Sequence, residues 1–264
     1  MQDLNITLIQ SDLYWHDKSA NLAHFEEKIW QIEDPTDIIV LPEMFNTGFT
    51  METKSQGEPM RAQTFKWMEQ MAAQKGAIVT GSYIVNEGGR HYNRLIWMQP
   101  DGDYLYYDKR HLFRISHEHN HFKSGDNFVI AEWKDWRICP LICYDLRFPS
   151  WSRNSYLLEQ DILDYDVLIY IANWPLARIG AWDILLQARA IENSSYAVGV
   201  NRTGMDGNGI VYNGHSKIVN FKGEVEHNLK TEEAIYTHIL KMDDLISYRK
   251  KFPVHLDADD VKML

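Results

Sequence analysis

The chain has 264 residues, and 27 Lys and Arg residues against 37 Asp and Glu residues give it a formal net charge of −10. This acidic balance argues against a nucleic-acid partner, because neutralising phosphates requires a clustered basic face. Hydrophobic residues make up 45% of the chain and aromatic residues 12%, which excludes intrinsic disorder. No apolar run approaches the roughly 20 residues of a membrane-spanning helix, and the first residues lack the basic and apolar regions of an export signal. We therefore expect a soluble, cytoplasmic protein with no membrane partner.

Short β-rich runs alternate with segments of helical spacing along the chain. The runs that predict strands cover residues 5–10, 37–41, 77–85, 138–142, 167–172, 197–201 and 216–221. The segments that predict helices are residues 19–33, 60–75 and 179–193, together with a stretch beginning at Ser150. Strong turn sequences lie at residues 86–89, 100–103 and 221–224. Alternation favours parallel strands with crossover helices and the turns favour hairpins, so the pattern indicates an α/β protein with mixed sheets.

The domain organisation is simple, because no linker, repeat or low-complexity stretch interrupts this pattern. Residues 4–241 are interpreted as one domain, and residues 242–264 as a C-terminal extension that ends in an acidic tail. The Gly-rich segment 204–209 is interpreted as a tight loop. A strand follows it in place of the helix that a nucleotide-binding loop requires.

Two ionisable residues follow predicted strands, where the active sites of α/β proteins usually lie. Glu43 comes after the apolar run 37–41 and a proline, so we expect a partly buried carboxyl group with a raised pKa that suits proton transfer. Lys109 follows a run rich in aromatic residues and can present a fixed positive charge to a developing oxyanion. Taken alone, each residue also fits an ordinary side chain in a loop or at a solvated strand end.

Cys143 directly follows the apolar run 138–142 and precedes the helix predicted from Ser150. A thiol on such a turn lies near free backbone N–H groups and the positive end of the helix dipole, which lower its pKa and suit a nucleophile. Cys139 lies inside the strand and fits a buried structural residue. Extended backbone places the two Cα atoms ~13 Å apart, too far for a disulfide. We therefore expect two free thiols.

A histidine-rich segment offers a different chemistry. His111, His117, His119 and His121 surround Glu118, and imidazoles at this density can bind zinc. The His-x-x-x-His spacing of helical zinc proteases is absent, although an extended loop can still form a site. A metal-binding or metallohydrolase module built on this segment is therefore an alternative hypothesis from another class.

Taken together, Glu43, Lys109 and Cys143 resemble the Glu-Lys-Cys triad of the nitrilase (carbon–nitrogen hydrolase) superfamily. Their contexts match as well, in Leu-Pro-Glu43, Lys109-Arg-His-Leu-Phe and Cys143-Tyr-Asp-Leu-Arg-Phe-Pro. The resemblance extends over about residues 4–240, and its later motifs are segments 189–193, 201–204, 206–209 and 214–216. Lys109-Arg-His-Leu-Phe followed by Glu118 and His119 resembles the bacterial omega-amidase branch.

The resemblance implies a four-layer αββα sandwich with two mixed β-sheets. It also implies a homodimer, with residues 178–193 and the helix after Pro149 at its interface. In such enzymes Glu43 would act as general base and acid, Lys109 would hold the oxyanion and Cys143 would be the nucleophile. Omega-amidases of this family need no metal or organic cofactor.

Further site residues follow from the resemblance. Glu118 lies nine residues after Lys109, where it would position Lys109, the substrate amide or the water; a solvated acid between histidines is the alternative. The backbone N–H of Tyr144 would be the second oxyanion donor. Arg147 matches a position that binds substrate carboxylate in related carbamoylases, although a structural salt bridge fits it equally well. The aromatic residues expected to wall the pocket are Phe45, Phe113, Tyr144 and Trp174.

The expected function is hydrolysis of the terminal amide of small 2-oxo-dicarboxylate monoamides, such as 2-oxoglutaramate, to the dicarboxylate and ammonia. The reaction would pass through a cysteine thioester. A carbamoylase or nitrile hydrolase with the same triad is the alternative within the superfamily. In each case the partner is a small molecule.

Overall fold

The computed structural model describes residues 2–157 and 161–259, so the end of the predicted acidic tail, residues 260–264, lies outside the described residues. The strands, in chain order, are β1 (Leu4–Gln10), β2 (Ile38–Val40), β3 (Glu58–Pro59), β4 (Ile78–Glu87), β5 (Arg90–Met98), β6 (Tyr104–Asp108), β7 (Ala131–Trp133), β8 (Trp136–Ile142), β9 (Tyr156–Leu157), β10 (Ile162–Leu163), β11 (Val167–Ala172), β12 (Tyr196–Asn201), β13 (Thr203–Met205), β14 (Val211–Asn213), β15 (Lys217–Val219), β16 (Val225–Asn228) and β17 (Ala234–Leu240). The α-helices are α1 (Lys18–Trp30), α2 (Thr53–Gln56), α3 (Gln63–Lys75), α4 (Glu118–His121), α5 (Ile179–Asn193) and α6 (Met242–Lys251).

Most strands belong to two large mixed sheets. The first has the order β17-β1-β2-β4-β5-β6, with β3 beside the end of β4. Its central strands β1, β2 and β4 are parallel, and its outer pairs are antiparallel. The second has the order β16-β15-β12-β11-β8-β7, with β8, β11 and β12 parallel. The hairpins predicted at residues 86–89, 100–103 and 221–224 join β4 to β5, β5 to β6 and β15 to β16.

Alternation along β2 shows how the layers are arranged. Ile38 and Val40 pack in the large core that also contains Trp136 and Ile138 of the second sheet. Ile39 points the other way, into a separate core with Phe25 of α1 and residues of α3. Because successive strand side chains face opposite sides, the two sheets face each other while α1 and α3 cover the first sheet.

Helices α5 and α6 cover the second sheet. Trp182 and Leu186 of α5 are fully buried against Gly199 of β12, and Leu245 of α6 is fully buried as well. The order helix, sheet, sheet, helix is the predicted four-layer αββα sandwich, which is confirmed. Within the described residues no helix is long and apolar enough to cross a membrane.

The helix predicted from Ser150 is wrong. Residues 150–152 form a turn, and Tyr156–Leu157 pairs antiparallel with Ile162–Leu163. The Asn154 side chain donates to the backbone carbonyls of Tyr165 and Asn193, which ties the segment down in a non-helical path. Short polar side chains that bond to backbone groups compete with helix formation in this way.

Candidate active site

The candidate residues meet where strands of both sheets end. Glu43 lies three residues beyond β2, Lys109 follows β6, and Cys143 follows β8. Asn173 follows β11, the neighbour of β8 in the second sheet. The site therefore combines the carboxyl ends of β2, β8 and β11, the usual position of ligand sites in α/β folds.

Lys109 joins two carboxylates inside the protein. Its Nζ lies 2.8 Å from Glu43 Oε1 and 3.1 and 3.0 Å from the two oxygens of Glu118. All three side chains are almost completely inaccessible to solvent. Burial lowers the pKa of Lys109, but the nearby charges of Glu118 and Glu43 outweigh it and hold that pKa above its ordinary value. Lys109 is therefore a permanently charged, immobilised ammonium group.

The Glu43 carboxylate is fixed by donors from both sheets. Asn93 of β5 donates through Nδ2 to Oε1 at 2.8 Å, and the backbone N–H of Asn173 donates to Oε2 at 2.8 Å. The Asn173 side chain in turn donates to the Glu43 carbonyl. Because each oxygen has its own donor, the carboxylate is held in one orientation.

The backbone at Cys143 is strained. Its φ is +45°, in the left-handed region that non-glycine residues rarely adopt, and it begins a 3₁₀ helix over Cys143–Arg147. Asp145 stabilises this turn by accepting from the Ile142 N–H at 3.1 Å, the Tyr107 hydroxyl at 2.8 Å and the His111 N–H at 2.9 Å. The turn directs the thiol toward the cavity and leaves the first N–H groups of the 3₁₀ helix without intrahelical partners.

The predicted low pKa of the Cys143 thiol is wrong. Burial raises its pKa well above the ordinary value, the charge of Glu43 raises it further, and Lys109 opposes them. The α-helix whose dipole was expected to act on the thiol is absent, and a one-turn 3₁₀ helix supplies little dipole. The resting thiol is therefore protonated and needs a base to become a nucleophile, a role for which Glu43 is placed.

Glu118 completes the buried charge cluster. It begins the short helix α4 and accepts from the Phe113 N–H as well as from Lys109. The pKa of Glu118 is raised overall, because burial and the charge of Glu43 outweigh the opposing charge of Lys109. Its contacts are those of a residue that orients the ammonium.

A cavity of about 680 Å³ opens onto Cys143 and Lys109. Such a volume suits a small organic ligand. Of the predicted pocket residues, four line it: Phe113, Tyr144, Arg147 and Trp174.

The structure does not place Phe45 in the pocket wall. It is fully buried in the outer core of the first sheet, where its ring packs against those of Phe25 and Trp67. Phe49 lines the pocket in its place, with the Lys109 ammonium 5.1 Å from its ring centroid.

Sequence reasoning also missed several residues of the site. Asn173 carried a usable signal, because it follows an apolar strand directly and precedes Trp174. Asn93 lies inside β5 with no distinctive context. Arg178 was considered only for a subunit interface, but it lines the cavity.

The histidines of segment 111–121 do not converge. The His111 ring lies 2.8 Å from Asp145 Oδ1 and stacks on Phe148 with centroids 3.8 Å apart. The rings of His117 and His119 are 6.3 Å apart. Across residues 2–157 and 161–259, no group of three or more His, Cys, Asp and Glu side chains is arranged to hold a metal ion.

A cysteine on a strained turn beside a carboxylate–ammonium–carboxylate cluster is a hydrolytic arrangement, and comparison with known proteins defines its class. Residues 5–250 match the carbon–nitrogen hydrolase family, and the chain belongs to that family of hydrolases. It is 44% identical to Omega-amidase YafV of Escherichia coli (strain K12) over the whole of both chains. It is also 30% identical to the 2-oxoglutaramate amidase of Bacillus subtilis (strain 168) over 97% of each chain.

Solved structures agree with this assignment. A CN-hydrolase superfamily protein from Xanthomonas campestris, with an arsenic adduct in its active site, superposes with a TM-score of 0.98. The two chains are 40% identical, and the superposition covers all of both. The nitrilase-like fold expected from the sequence is therefore confirmed.

Proposed function

We propose that this protein is an omega-amidase that converts small 2-oxo-dicarboxylate monoamides, such as 2-oxoglutaramate, to the dicarboxylate and ammonia. The observation that carries the proposal is the Lys109 ammonium held between Glu43 and Glu118 beside Cys143, at the end of a cavity of small-molecule size. The full-length similarity to omega-amidases supports the choice of substrate class.

The first step forms a tetrahedral intermediate. Glu43 accepts the thiol proton as Cys143 Sγ bonds to the amide carbon, and the carbonyl π electrons move onto the oxygen. The ammonium of Lys109 and the backbone N–H of Tyr144 stabilise the resulting oxyanion. Because the pKa of the resting thiol is raised, the thiol needs this proton transfer to become a nucleophile.

The second step releases ammonia. Protonated Glu43 gives its proton to the amide nitrogen while the carbon–nitrogen bond breaks and the oxyanion electrons restore the carbonyl group. The products are ammonia and an acyl thioester on Cys143. Glu43 hydrogen-bonds the Cys143 thiol, whereas Glu118 accepts from Lys109 and the Phe113 N–H, so Glu118 acts as a positioning residue in this scheme.

The third step regenerates the enzyme. Glu43 takes a proton from a water molecule whose oxygen attacks the thioester carbon, and Lys109 again holds the oxyanion. Collapse breaks the carbon–sulfur bond, and the sulfur recovers its proton from Glu43. Each step uses only side chains of this chain, a backbone N–H and water, so the mechanism assigns no role to a metal or cofactor.

Arg147 is the proposed partner of the substrate carboxylate. Its guanidinium carbon lies 5.0 Å from the Trp174 ring centroid, on the cavity wall four residues after the nucleophile. A guanidinium pairs with a carboxylate through two parallel hydrogen bonds, which would fix the far end of the substrate.

The test is ammonia release from 2-oxoglutaramate, succinamate, glutamine, an N-carbamoyl amino acid and a simple nitrile, with Cys143→Ala protein as the blank. Release from the first two that is lost in Cys143→Ala supports the omega-amidase. Release only from the carbamoyl compound or the nitrile would assign the site to another branch of the family.

We also propose that two copies of the chain pair through α5. Ile184 and Ile191 are seven residues apart on this helix and therefore lie on one face, where they are 68% and 51% exposed. Light scattering after gel filtration measures the mass directly. A monomer at micromolar concentration would contradict the pairing.

A further inference from the structure

Two arginines on the cavity wall lack a carboxylate partner. Arg147 and Arg178 both line the cavity, and within residues 2–157 and 161–259 neither forms an ion pair. The third cation there, Lys109, is already saturated by Glu43 and Glu118. In a chain with a net charge of −10, two unpaired guanidinium groups in one cavity mark a local positive field suited to an anion.

Each arginine rests on an aromatic ring whose chain segment is hydrogen-bonded to one of the carboxylates that flank Lys109. The guanidinium carbon of Arg178 lies 5.5 Å from the ring centroid of Phe113, whose N–H donates to Glu118. The guanidinium of Arg147 lies over the ring of Trp174. Trp174 is the next residue in the chain after Asn173, whose backbone N–H donates to Glu43.

The Trp174 indole also donates to the Arg178 carbonyl at 2.9 Å. This bond joins the segment that carries Arg178 to the ring beneath Arg147. The backbone at Arg178 is therefore tied to the ring that the guanidinium of Arg147 contacts; Arg178 is half-buried and Arg147 is exposed at the cavity rim.

The acidic residues of the wall do not neutralise these arginines. Asp206 Oδ1 accepts from the N–H groups of Asn208 and Ile210 at 2.8 and 3.0 Å, and its Oδ2 accepts from the Tyr212 hydroxyl at 3.0 Å. Glu52 is exposed. Asp206 is thus committed to its own loop, and the cations remain available to a ligand.

We propose that Arg178 selects 2-oxo acid amides over the matching α-amino acid amides, a proposal that rests on the proposed function. With Arg147 on the carboxylate, the proposal assigns the neighbouring 2-position to the guanidinium of Arg178, which lines the same cavity. A 2-oxo acid presents a ketone oxygen there, coplanar with a carboxylate oxygen, and these form an acceptor pair for a planar guanidinium. Glutamine presents an ammonium group at that position, which offers no acceptor and is repelled by the cation. Specificity then arises from attraction to one substrate and repulsion of the other.

The experiment compares kcat/KM for 2-oxoglutaramate, glutaramate and glutamine in wild-type, Arg178→Met and Arg178→Lys proteins. Glutaramate carries a CH₂ group in place of the ketone and has no ammonium. For Arg178→Met we expect roughly a tenfold or larger loss on 2-oxoglutaramate, a smaller loss on glutaramate and no loss on glutamine. The ratio of 2-oxoglutaramate to glutamine turnover therefore falls at least about tenfold.

The lysine variant separates charge from shape. Arg178→Lys keeps the positive charge but not the planar fork, so activity on 2-oxoglutaramate falls while glutamine is still rejected as in wild type. Arg90→Met removes an exposed arginine from a hairpin and serves as the matched control, with all three substrates unchanged. Equal losses on all three substrates in Arg178→Met, or an unchanged ratio, overturn the proposal.

A binding measurement keeps this test independent of turnover. Cys143→Ala protein is titrated calorimetrically with 2-oxoglutarate and with glutarate, with and without Arg178→Met. We expect Cys143→Ala protein to bind 2-oxoglutarate more tightly than glutarate, and this difference to disappear when Arg178→Met is added. The same ratio of the two affinities with and without Arg178→Met would refute the assignment. If wild type leaves 2-oxoglutaramate intact, the proposed function fails, while this titration still decides the role of Arg178.

Discussion

Lys109 Nζ donates to Glu43 Oε1 over 2.8 Å, and both side chains are almost fully buried. A buried ion pair contributes little net stability, because desolvation of the two charges offsets most of their attraction. Removing one partner is nevertheless costly, since the other charge is then left buried without compensation. Function and stability are therefore coupled at this pair.

Replacing Lys109 tests that coupling. In Lys109→Met, loss of an oxyanion donor is expected to lower kcat by ~10²–10³. The variant also leaves Glu43 facing Glu118, which lowers the free energy of unfolding at neutral pH by about 3–5 kcal/mol. Because a carboxyl group that takes up a proton relieves this repulsion, the stability difference from wild type shrinks toward acidic pH.

Ammonia release and urea unfolding at two pH values measure both effects. Lys222→Met, which removes an exposed lysine, is the control and keeps wild-type values. Activity of Lys109→Met within a few-fold of wild type would remove Lys109 from the mechanism.

Glu118→Gln tests the positioning role of Glu118. Both Glu118 oxygens accept from Lys109, and one also accepts from the Phe113 N–H. A glutamine amide must turn its NH₂ group toward one of these donors, so the ammonium loses its fixed position. We expect kcat to fall at least about tenfold, equivalent to ~1.4 kcal/mol in the barrier, and the free energy of unfolding to fall less than in Lys109→Met, because Lys109 keeps Glu43 as its partner.

The control for this change is Glu27→Gln, which alters an exposed glutamate on α1. Full turnover in a folded Glu118→Gln protein would show that the residue only fills buried space.

The site residues that follow strands are the ones that the sequence could predict. Glu43, Lys109 and Cys143 each follow a strand in a recognisable motif, and the fold brings them together. The choice of Phe45 as a pocket wall failed because the loop after Glu43 reverses direction. Met44 has a φ of +43°, which no residue pattern announces, and so Phe45 faces the core.

The raised pKa of Cys143 could not be predicted for a different reason. It depends on how far burial outweighs the field of Lys109, and this balance is set by the packing around the thiol, which no sequence motif encodes.

The substitution Gly199→Ala tests how closely β12 and α5 pack. A Cβ atom at this position would lie 2.5 Å from Leu186 Cδ1 and 2.6 Å from Trp182 Cζ2. Both side chains are fully buried and cannot move aside, so Gly199→Ala is expected to lower the free energy of unfolding by about 1–3 kcal/mol. The matched control is Gly180→Ala in the first turn of α5, where a Cβ atom meets nothing within 4 Å.

Gly180→Ala is expected to raise the free energy of unfolding by about 0.4–1 kcal/mol, because alanine restricts the unfolded chain. Urea unfolding of the two variants thus gives shifts of opposite sign. Shifts of the same sign would mean that this contact is looser than the structure shows.

Thiol alkylation tests the protonation state of the nucleophile. Burial and Glu43 raise the pKa of Cys143, so the thiol is protonated at neutral pH and the thiolate fraction rises tenfold per pH unit until that pKa is reached. The rate of inactivation by iodoacetamide should therefore still be rising at about pH 8.5, the ordinary pKa of a free thiol. The rate is measured in Cys139→Ala protein, because Cys139 is fully buried and its removal confines alkylation to Cys143. A plateau below about pH 7.5 would mean that the ammonium of Lys109 dominates, in which case Cys143 would attack as a preformed thiolate and Glu43 would serve only the later proton transfers.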